Sequence, residues 1–425
     1  MVKKFSKIGV CMVFVLSMIL PQAAVSKAKT ANPYTGKKYV YCSNYKDGIE
    51  LYGKDGSKKK KYTLIKKEYS MREIYKTKSY IYYYKVNRKD SSTGYVWQVP
   101  LNQKSGKLKV KKKKKLFYVN EWQEFLYATD KKIVYRINNS IVSYNKKTKQ
   151  KTSLTGKPVY YSSINVAKDA SGLTAKIGNC IYYSRFKSYY KKIDEAFYQL
   201  NLSTGKRKKI VNKASQYESK RYRYDEHEKL DTQVGISGKK LYVPTEKWIV
   251  CYDMAKKKKT NLISMDVLIL MQCVKEKFST DAFHSMHIDK FYFIGNTMYL
   301  QLAVDYQYKI GAYQEISYDR NYVVVSLNKK TGKSITYEEE LSSFLKNYGN
   351  GYNDGNQCGM HNWTVRTGMI LDVTKNGTWI GEFVNEKGKL FYYSYNKNTK
   401  VTKLYSSKKA KVRLMQQGLN DEAYV

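Results

Sequence analysis

One segment of the chain, 349–363, combines side chains that could bind a small ligand. It is rich in glycine and asparagine, and it also carries an acid, an imidazole and two aromatic rings. The candidate ligand-binding residues are Tyr352, Asn353, Asp354, His361 and Trp363. Long ordered loops often carry function, and the alternative is a plain surface loop. The segment completes no calcium loop, because Tyr352 stands where an acidic ligand is needed.

Few other residues are spaced for acid–base or metal chemistry. His284 and His287, with two nearby aspartates, would need a helical turn to converge on a metal, and no third ligand is assured. The chain has no G-x-S-x-G elbow, no H-E-x-x-H motif and no glycine-rich phosphate loop. We therefore predict no metal, no other cofactor and no catalytic residues. The enzyme alternative is a polysaccharide hydrolase or lyase with its site in insertions near 267–294 and 342–376.

Lysine dominates the charge of the chain. The 425 residues include 79 Lys and Arg against 35 Asp and Glu, which gives a net charge of +44. A charge of this size attracts polyanions over long range. Arginine, whose fork suits specific nucleic-acid contacts, supplies only ten of the basic residues, so no specific nucleic-acid partner is predicted.

Three runs of lysine are the candidate polyanion-binding residues. Each run lies at or just after a predicted hairpin turn, and a solvated lysine-rich loop is the alternative reading. The runs are Lys58, Lys59, Lys60 and Lys61; Lys111, Lys112, Lys113, Lys114 and Lys115; and Lys256, Lys257, Lys258 and Lys259.

The first 28 residues have the pattern of a secretory signal peptide. Three lysines precede an apolar stretch at 8–20, and small residues follow it. The stretch is short for a spanning helix and no later one exists, so we predict a secreted protein, extracellular or associated with the cell wall, without a membrane span. An uncleaved N-terminal anchor is the alternative.

Five widely spaced cysteines follow the signal peptide. They are Cys42, Cys180, Cys251, Cys273 and Cys358. A disulfide framework is usually dense and even in number, so we predict buried, unpaired thiols. One disulfide among the last three is the alternative.

A repeated pair of β-rich runs ending in an Asn or Asp turn is the main internal pattern. Seven copies have turn anchors near 53, 102, 145, 201, 253, 328 and 396, about 57 residues apart. One hairpin cannot bury its apolar face alone, so the copies must stack. We predict an all-β fold, a β-propeller of about seven four-stranded blades over 29–407, with 408–425 as a tail or closing strand. A pair of β-sandwich domains is the alternative.

The first copy carries a resemblance to a known family. Segment 39–59 reads YVYCSNYKDGIELYGKDGSKK and resembles one blade of the secreted propeller repeats of Gram-positive bacteria, which are related to the YWTD-type propeller. The resemblance implies the fold and brings no catalytic motif. Together with the leader and the lysines, it predicts a secreted, non-catalytic binding protein whose partner is an anionic cell-wall polymer or polysaccharide. An extracellular scaffold for a protein partner is a further alternative.

Overall fold

The chain divides into two compact units, Met1–Ala31 and Asn32–Val425. A computed structural model describes 36–212, 217–218, 234–276, 283–310, 315–343, 369–384 and 390–405 within the second unit, apart from short gaps at 37, 45–46, 55–56, 67, 89–92, 157–161, 170–172, 190–191, 246, 374–375 and 400. The predicted signal peptide, the predicted C-terminal tail and the 349–363 loop lie outside these residues.

Seven antiparallel sheets follow one another along the described chain. Sheet 1 contains β1 (Tyr39–Asn44), β2 (Gly48–Gly53) and β3 (Lys58–Thr63). Sheet 2 contains β4 (Tyr69–Lys76), β5 (Tyr80–Asn87), β6 (Thr93–Pro100) and β7 (Lys114–Asn120), with a 3-10 turn at Val110–Lys112. Sheet 3 contains β8 (Trp122–Ala128), β9 (Lys132–Ile137), β10 (Ser140–Asn145) and β11 (Lys151–Ser153).

The later sheets continue the same order. Sheet 4 contains β12 (Ser162–Val166), β13 (Lys176–Ile177), β14 (Cys180–Tyr189), β15 (Lys192–Asn201) and β16 (Arg207–Asn212). Sheet 5 contains β18 (Gly235–Ser237), β19 (Lys240–Pro244), β20 (Trp248–Asp253) and β21 (Lys258–Ser264). Sheet 6 contains β17 (Tyr217–Glu218), β22 (Phe283–Ile294), β23 (Thr297–Ile310), β24 (Glu315–Asn328) and β25 (Thr336–Tyr337). Sheet 7 contains β26 (Met369–Val373), β27 (Thr378–Val384), β28 (Leu390–Asn396) and β29 (Val401–Tyr405).

Two helices interrupt the later sheets. Helix α1 (Met265–Glu276) lies between β21 and β22 and overlaps the start of the predicted insertion at 267–294, and α2 (Glu339–Ser343) follows β25. Within the described residues, neither helix has the length and apolarity to cross a bilayer.

The sheets pack face to face because alternate residues of a strand point to opposite sides. In β5, Tyr83 packs into a buried cluster shared with sheet 1, whereas Tyr82 and Tyr84 pack into a cluster shared with sheet 3. Further buried clusters join sheets 3 and 4, 4 and 5, 5 and 6, and 6 and 7. Strands near the start of different sheets lie against one another: β4 lies against β8, β18 against β22, and β22 against β26. This arrangement is a β-propeller.

The strand number per sheet departs in part from the uniform four-stranded expectation. Among the described residues, sheet 1 has three strands, sheets 4 and 6 have five, and the other sheets have four. The prediction of seven repeated hairpins is confirmed, and those hairpins form the middle of every sheet except sheet 1, where β1 is an edge strand.

The predicted Asn or Asp anchors form one recurring hairpin loop, which we call the Asx loop. The side-chain oxygen of the first residue accepts hydrogen bonds from the backbone N–H groups two and three positions later. Six loops share this geometry and begin at Asn102, Asn145, Asn201, Asp253, Asn328 and Asn396. The residue four positions after the anchor takes a positive φ, at Gly106, Gly205 and Gly332 but also at Lys149 and Lys257.

Tyrosine hydroxyls bind consecutive sheets together. A tyrosine on one sheet donates a hydrogen bond to a carbonyl in a connection of the next sheet. The bonds run from Tyr41 to Gly106 (2.8 Å), from Tyr82 to Thr129 (2.9 Å) and from Tyr242 to Lys329 (3.3 Å). The apolar ring is buried while the hydroxyl is satisfied, which explains part of the chain's high tyrosine content.

Candidate functional site

The three predicted lysine runs lie on the outer parts of the sheets. Lys58–Lys61 are exposed on β3, Lys111–Lys115 are exposed before and at the start of β7, and Lys256–Lys259 are exposed in an Asx loop and on β21. Each of these strands is the last of its sheet. Charged residues on a sheet edge also prevent that edge from pairing with another chain. Some of these lysines therefore have a structural role.

The first lysine run is partly neutralised, whereas the second is not. Lys58 lies 2.6 Å from a carboxylate oxygen of Glu50, and Lys61 lies 2.7 Å from one of Asp47. Across the part of the chain that the structure describes, no carboxylate forms an ion pair with a lysine of 111–115. The second run therefore keeps its positive charge available.

Lysines of sheet 2 and of the connection from sheet 1 meet at one place, which we call the cationic patch and define as Lys66, Lys85, Lys113 and Lys115. The Lys113 ammonium of sheet 2 donates a 2.6 Å hydrogen bond to the Leu64 carbonyl, which follows sheet 1. Burial lowers the pKa of Lys85, the positive charges of Lys113, Lys66 and Lys115 lower it further, and the negative charge of Glu68 acts in the opposite direction. The patch therefore holds concentrated positive charge that a bound anion would relieve. The run at 256–259 lies in sheet 5, so the three runs do not form one surface.

A second group of charges, which the sequence did not predict, lies on and beside the first strands of sheets 2, 3 and 4. We call it the inner charged cluster, and it comprises Glu73, Glu124, Arg136 and Lys168. Arg136 Nε lies 3.0 Å from Glu124 Oε1, and the Lys168 ammonium contacts Glu124 Oε2. Glu73 Oε2 accepts a 2.8 Å hydrogen bond from the backbone N–H of Phe125. Ion pairs with Glu124 therefore join sheets 3 and 4, and the hydrogen bond accepted by Glu73 joins sheet 2 to sheet 3.

The two glutamates of this cluster are in different electrostatic environments. Burial raises the pKa of Glu73 to about 8, and the negative charge of Glu124 adds to that rise. The hydrogen bond from Phe125 and the positive charge of Lys168 act in the opposite direction. Glu73 is therefore mostly protonated at neutral pH, while Glu124 is held between two cations.

Bulges place acidic residues on the first strands. The pairing shifts between Met71 and Glu73 in β4, between Trp122 and Glu124 in β8, and between Ile370 and Asp372 in β26. A β-bulge adds one residue to a strand and changes the direction of a side chain. Because a bulge breaks the alternation of apolar and polar residues, these strands were not recognised in the sequence.

The remaining predicted candidates do not form a site in the described residues. His284 and His287 both lie on β22, which does not provide the helical turn that their spacing required, and Asp289 accepts a 2.6 Å hydrogen bond from Gln301. In the described portion of the chain, no three His, Cys, Asp or Glu side chains are arranged to hold a metal ion. Cys251 is buried and forms no disulfide, so it takes no part in the alternative pairing considered above.

Comparison with known proteins shows fold similarity alone. No protein-family model and no curated protein matches the chain. A solved prolyl endopeptidase is 10% identical with a TM-score of 0.44, over 85% of this chain and 46% of that one, so this chain spans less than half of its length. The β-propeller domain of the Trilobed protease from Pyrococcus furiosus is 10% identical with a TM-score of 0.41, over 87% and 93% of the two chains. The WD40 domain of SCAP from fission yeast is 9% identical with a TM-score of 0.34, over 88% and 84%.

Proposed function

We propose that this protein is a secreted, non-catalytic binding protein whose ligand is an anionic polymer of the cell surface. The observation that carries the proposal is the cationic patch, where lysines of sheet 2 and of the connection from sheet 1 raise the positive potential at one place. The signal-peptide pattern and the likeness of segment 39–59 to secreted Gram-positive propeller repeats support the extracellular location. Lysine, a strongly hydrated point charge, suits flexible polyanions that present phosphate or carboxylate groups without fixed geometry.

Sedimentation of the purified protein with Gram-positive wall fragments, with and without teichoic acid, tests the proposal. The comparison uses a salt series, because binding through lysine contacts weakens steeply with salt and each lost contact lowers the logarithmic slope by roughly one. We expect binding at low salt that disappears when the anionic polymer is removed. No binding at low salt, or binding insensitive to both salt and polymer, would overturn the proposal.

Matched lysine variants locate the surface. The patch variant carries glutamine at Lys66, Lys113 and Lys115, and the control carries glutamine at Lys256, Lys258 and Lys259, so both lose three charges. We expect the patch variant to lose about tenfold or more in affinity and the control to lose less than threefold. Equal losses would show that net charge alone attracts the polymer and that the patch is not the site.

A polysaccharide hydrolase or lyase is the second candidate, and the inner charged cluster is the observation that favours it. Burial raises the pKa of Glu73, and Glu124 beside it pairs with Arg136 and Lys168. A carboxylic acid next to a second carboxylate can supply acid–base catalysis. The test is release of reducing or unsaturated ends from anionic polysaccharides, with Glu73→Gln as the inactive comparison. Turnover that this variant abolishes would support the enzyme and displace the binding proposal.

A further inference from the structure

Two tyrosines beside the cationic patch are exposed, in contrast to most of the described aromatic residues. Tyr95 of β6 and Tyr118 of β7 are 38% and 42% exposed, and each is opposite the other in the strand register. Their ring centroids are 5.1 Å apart and their planes are inclined by 60°. The pair therefore presents adjoining aromatic surfaces to solvent.

The two tyrosine rings and the cationic patch are neighbours on one face of sheet 2. Lys85 of β5 is opposite Tyr95, and directly opposite residues of an antiparallel pair share one face of the sheet. The Lys115 ammonium lies 4.5 Å from the centroid of the Tyr95 ring. Among the described residues, no cation is placed over the ring of Tyr118, although the Lys151 ammonium of sheet 3 donates a 2.6 Å hydrogen bond to the Tyr118 carbonyl.

We infer that Tyr95 and Tyr118 form a stacking platform for sugar rings of a polysaccharide that bears carboxylates, with Lys85, Lys113 and Lys115 binding the acid groups. This inference rests on the proposed function and specifies its ligand. An aromatic face suits the C–H surface of a pyranose ring, and successive sugars in a chain are rotated relative to one another, as the two tyrosine rings are. A polymer without sugar rings would bind to the lysines and would not stack on the tyrosines.

Three soluble polymers separate the contributions of rings and charge. Polygalacturonate has sugar rings and carboxylates, polyphosphate has charge without rings, and dextran has rings without charge. We expect the wild-type protein to bind polygalacturonate more tightly than polyphosphate of equal charge and to bind dextran only weakly. Equal affinity for the two anionic polymers would overturn the inference and leave the proposed function standing.

Tyrosine variants test the platform directly. Tyr95→Ser with Tyr118→Ser should weaken polygalacturonate binding about tenfold, because the ring surface covered by sugar is lost, and should leave polyphosphate binding unchanged. The ring-preserving change Tyr118→Phe should keep full binding, and Trp248→Ser, at an exposed aromatic residue of sheet 5, should have no effect. Loss of binding to both polymers, or to neither, in the double serine variant would refute the platform.

A measurement on the unaltered protein removes dependence on the folding of the variants. When the aromatic protons of the wild-type protein are saturated in an NMR experiment, the saturation should transfer to the ring protons of a bound oligogalacturonate. Absence of transfer, with binding demonstrated in the same sample, would contradict stacking. Failure of every anionic polymer to bind would instead contradict the proposed function itself.

Discussion

Replacement of Glu73 by glutamine should change how the stability of the protein depends on pH. The folded protein holds the proton of this carboxyl more tightly than the unfolded chain does, because burial and the charge of Glu124 raise its pKa from 4.5 to about 8. The stabilising contribution is therefore complete below pH 4.5 and is lost as the pH rises through about 8. Glutamine stays neutral throughout and still offers an oxygen to the N–H of Phe125.

The size of the effect follows from the distance between the two pKa values. At about 1.4 kcal/mol for each pH unit, the shift corresponds to at most about 5 kcal/mol of unfolding free energy. This is an upper value, because Glu73 as a residue is half-buried rather than fully enclosed. We expect the wild type and Glu73→Gln to agree within about 1 kcal/mol at pH 5, and the variant to be more stable by several kcal/mol at pH 9.

Urea unfolding between pH 5 and pH 9, followed by tryptophan fluorescence, measures this difference. The exposed Glu121, replaced by glutamine, serves as a control whose curve should run parallel to that of the wild type. Groups that do not interact with Glu73 contribute equally to all three curves, so the difference between the curves reports Glu73 together with its partners Glu124 and Lys168. If the unfolding free energy of Glu73→Gln fell with pH as steeply as that of the wild type, the electrostatic account of the inner charged cluster would be refuted.

Two further predictions concern the Asx loops. Gly332→Ala should destabilise the protein by about 3 kcal/mol more than Gly205→Ala. A Cβ at 332 would lie 2.0 Å from the Leu262 carbonyl oxygen, whereas a Cβ at 205 would lie 3.6 Å from a Leu154 methyl group. Equal losses of unfolding free energy in urea titrations would contradict this. Lys149→Gly should stabilise the protein by up to about 1 kcal/mol, since lysine there has a φ of 58° that glycine adopts without strain; a lower melting temperature would count against the strain.

The middle strands and the loops of each sheet could be predicted from the sequence because their signals are local. The alternation of Val, Ile and Tyr marks the strands, and an Asn or Asp followed by Lys, Thr or Gly marks the turn. The structure confirms this in strands such as Tyr80–Asn87 and in anchors such as Asn201. Neither signal depends on residues far away in the chain.

Apart from β1, the first strands of the sheets could not be predicted, and neither could the sites, because they depend on distant parts of the chain. Glu73 and Glu124 lie in bulged strands whose polar residues read as loop, and only the stacking of the sheets brings them together. Likewise, Lys85 is an isolated lysine between tyrosine-rich residues, and its role becomes visible only when sheet 2 lies beside sheet 1. The sequence feature that could have indicated the inner charged cluster was a glutamate within an otherwise β-rich segment.

The bonds between a tyrosine of one sheet and a connection of the next have a consequence for how such chains can change in length. Each bond involves two consecutive repeats, with the donor on one and the acceptor on the following one. A whole repeat inserted by duplication would bring both halves of the contact and meet the same partners on either side. The contact between two such neighbours therefore does not depend on how many repeats the chain contains.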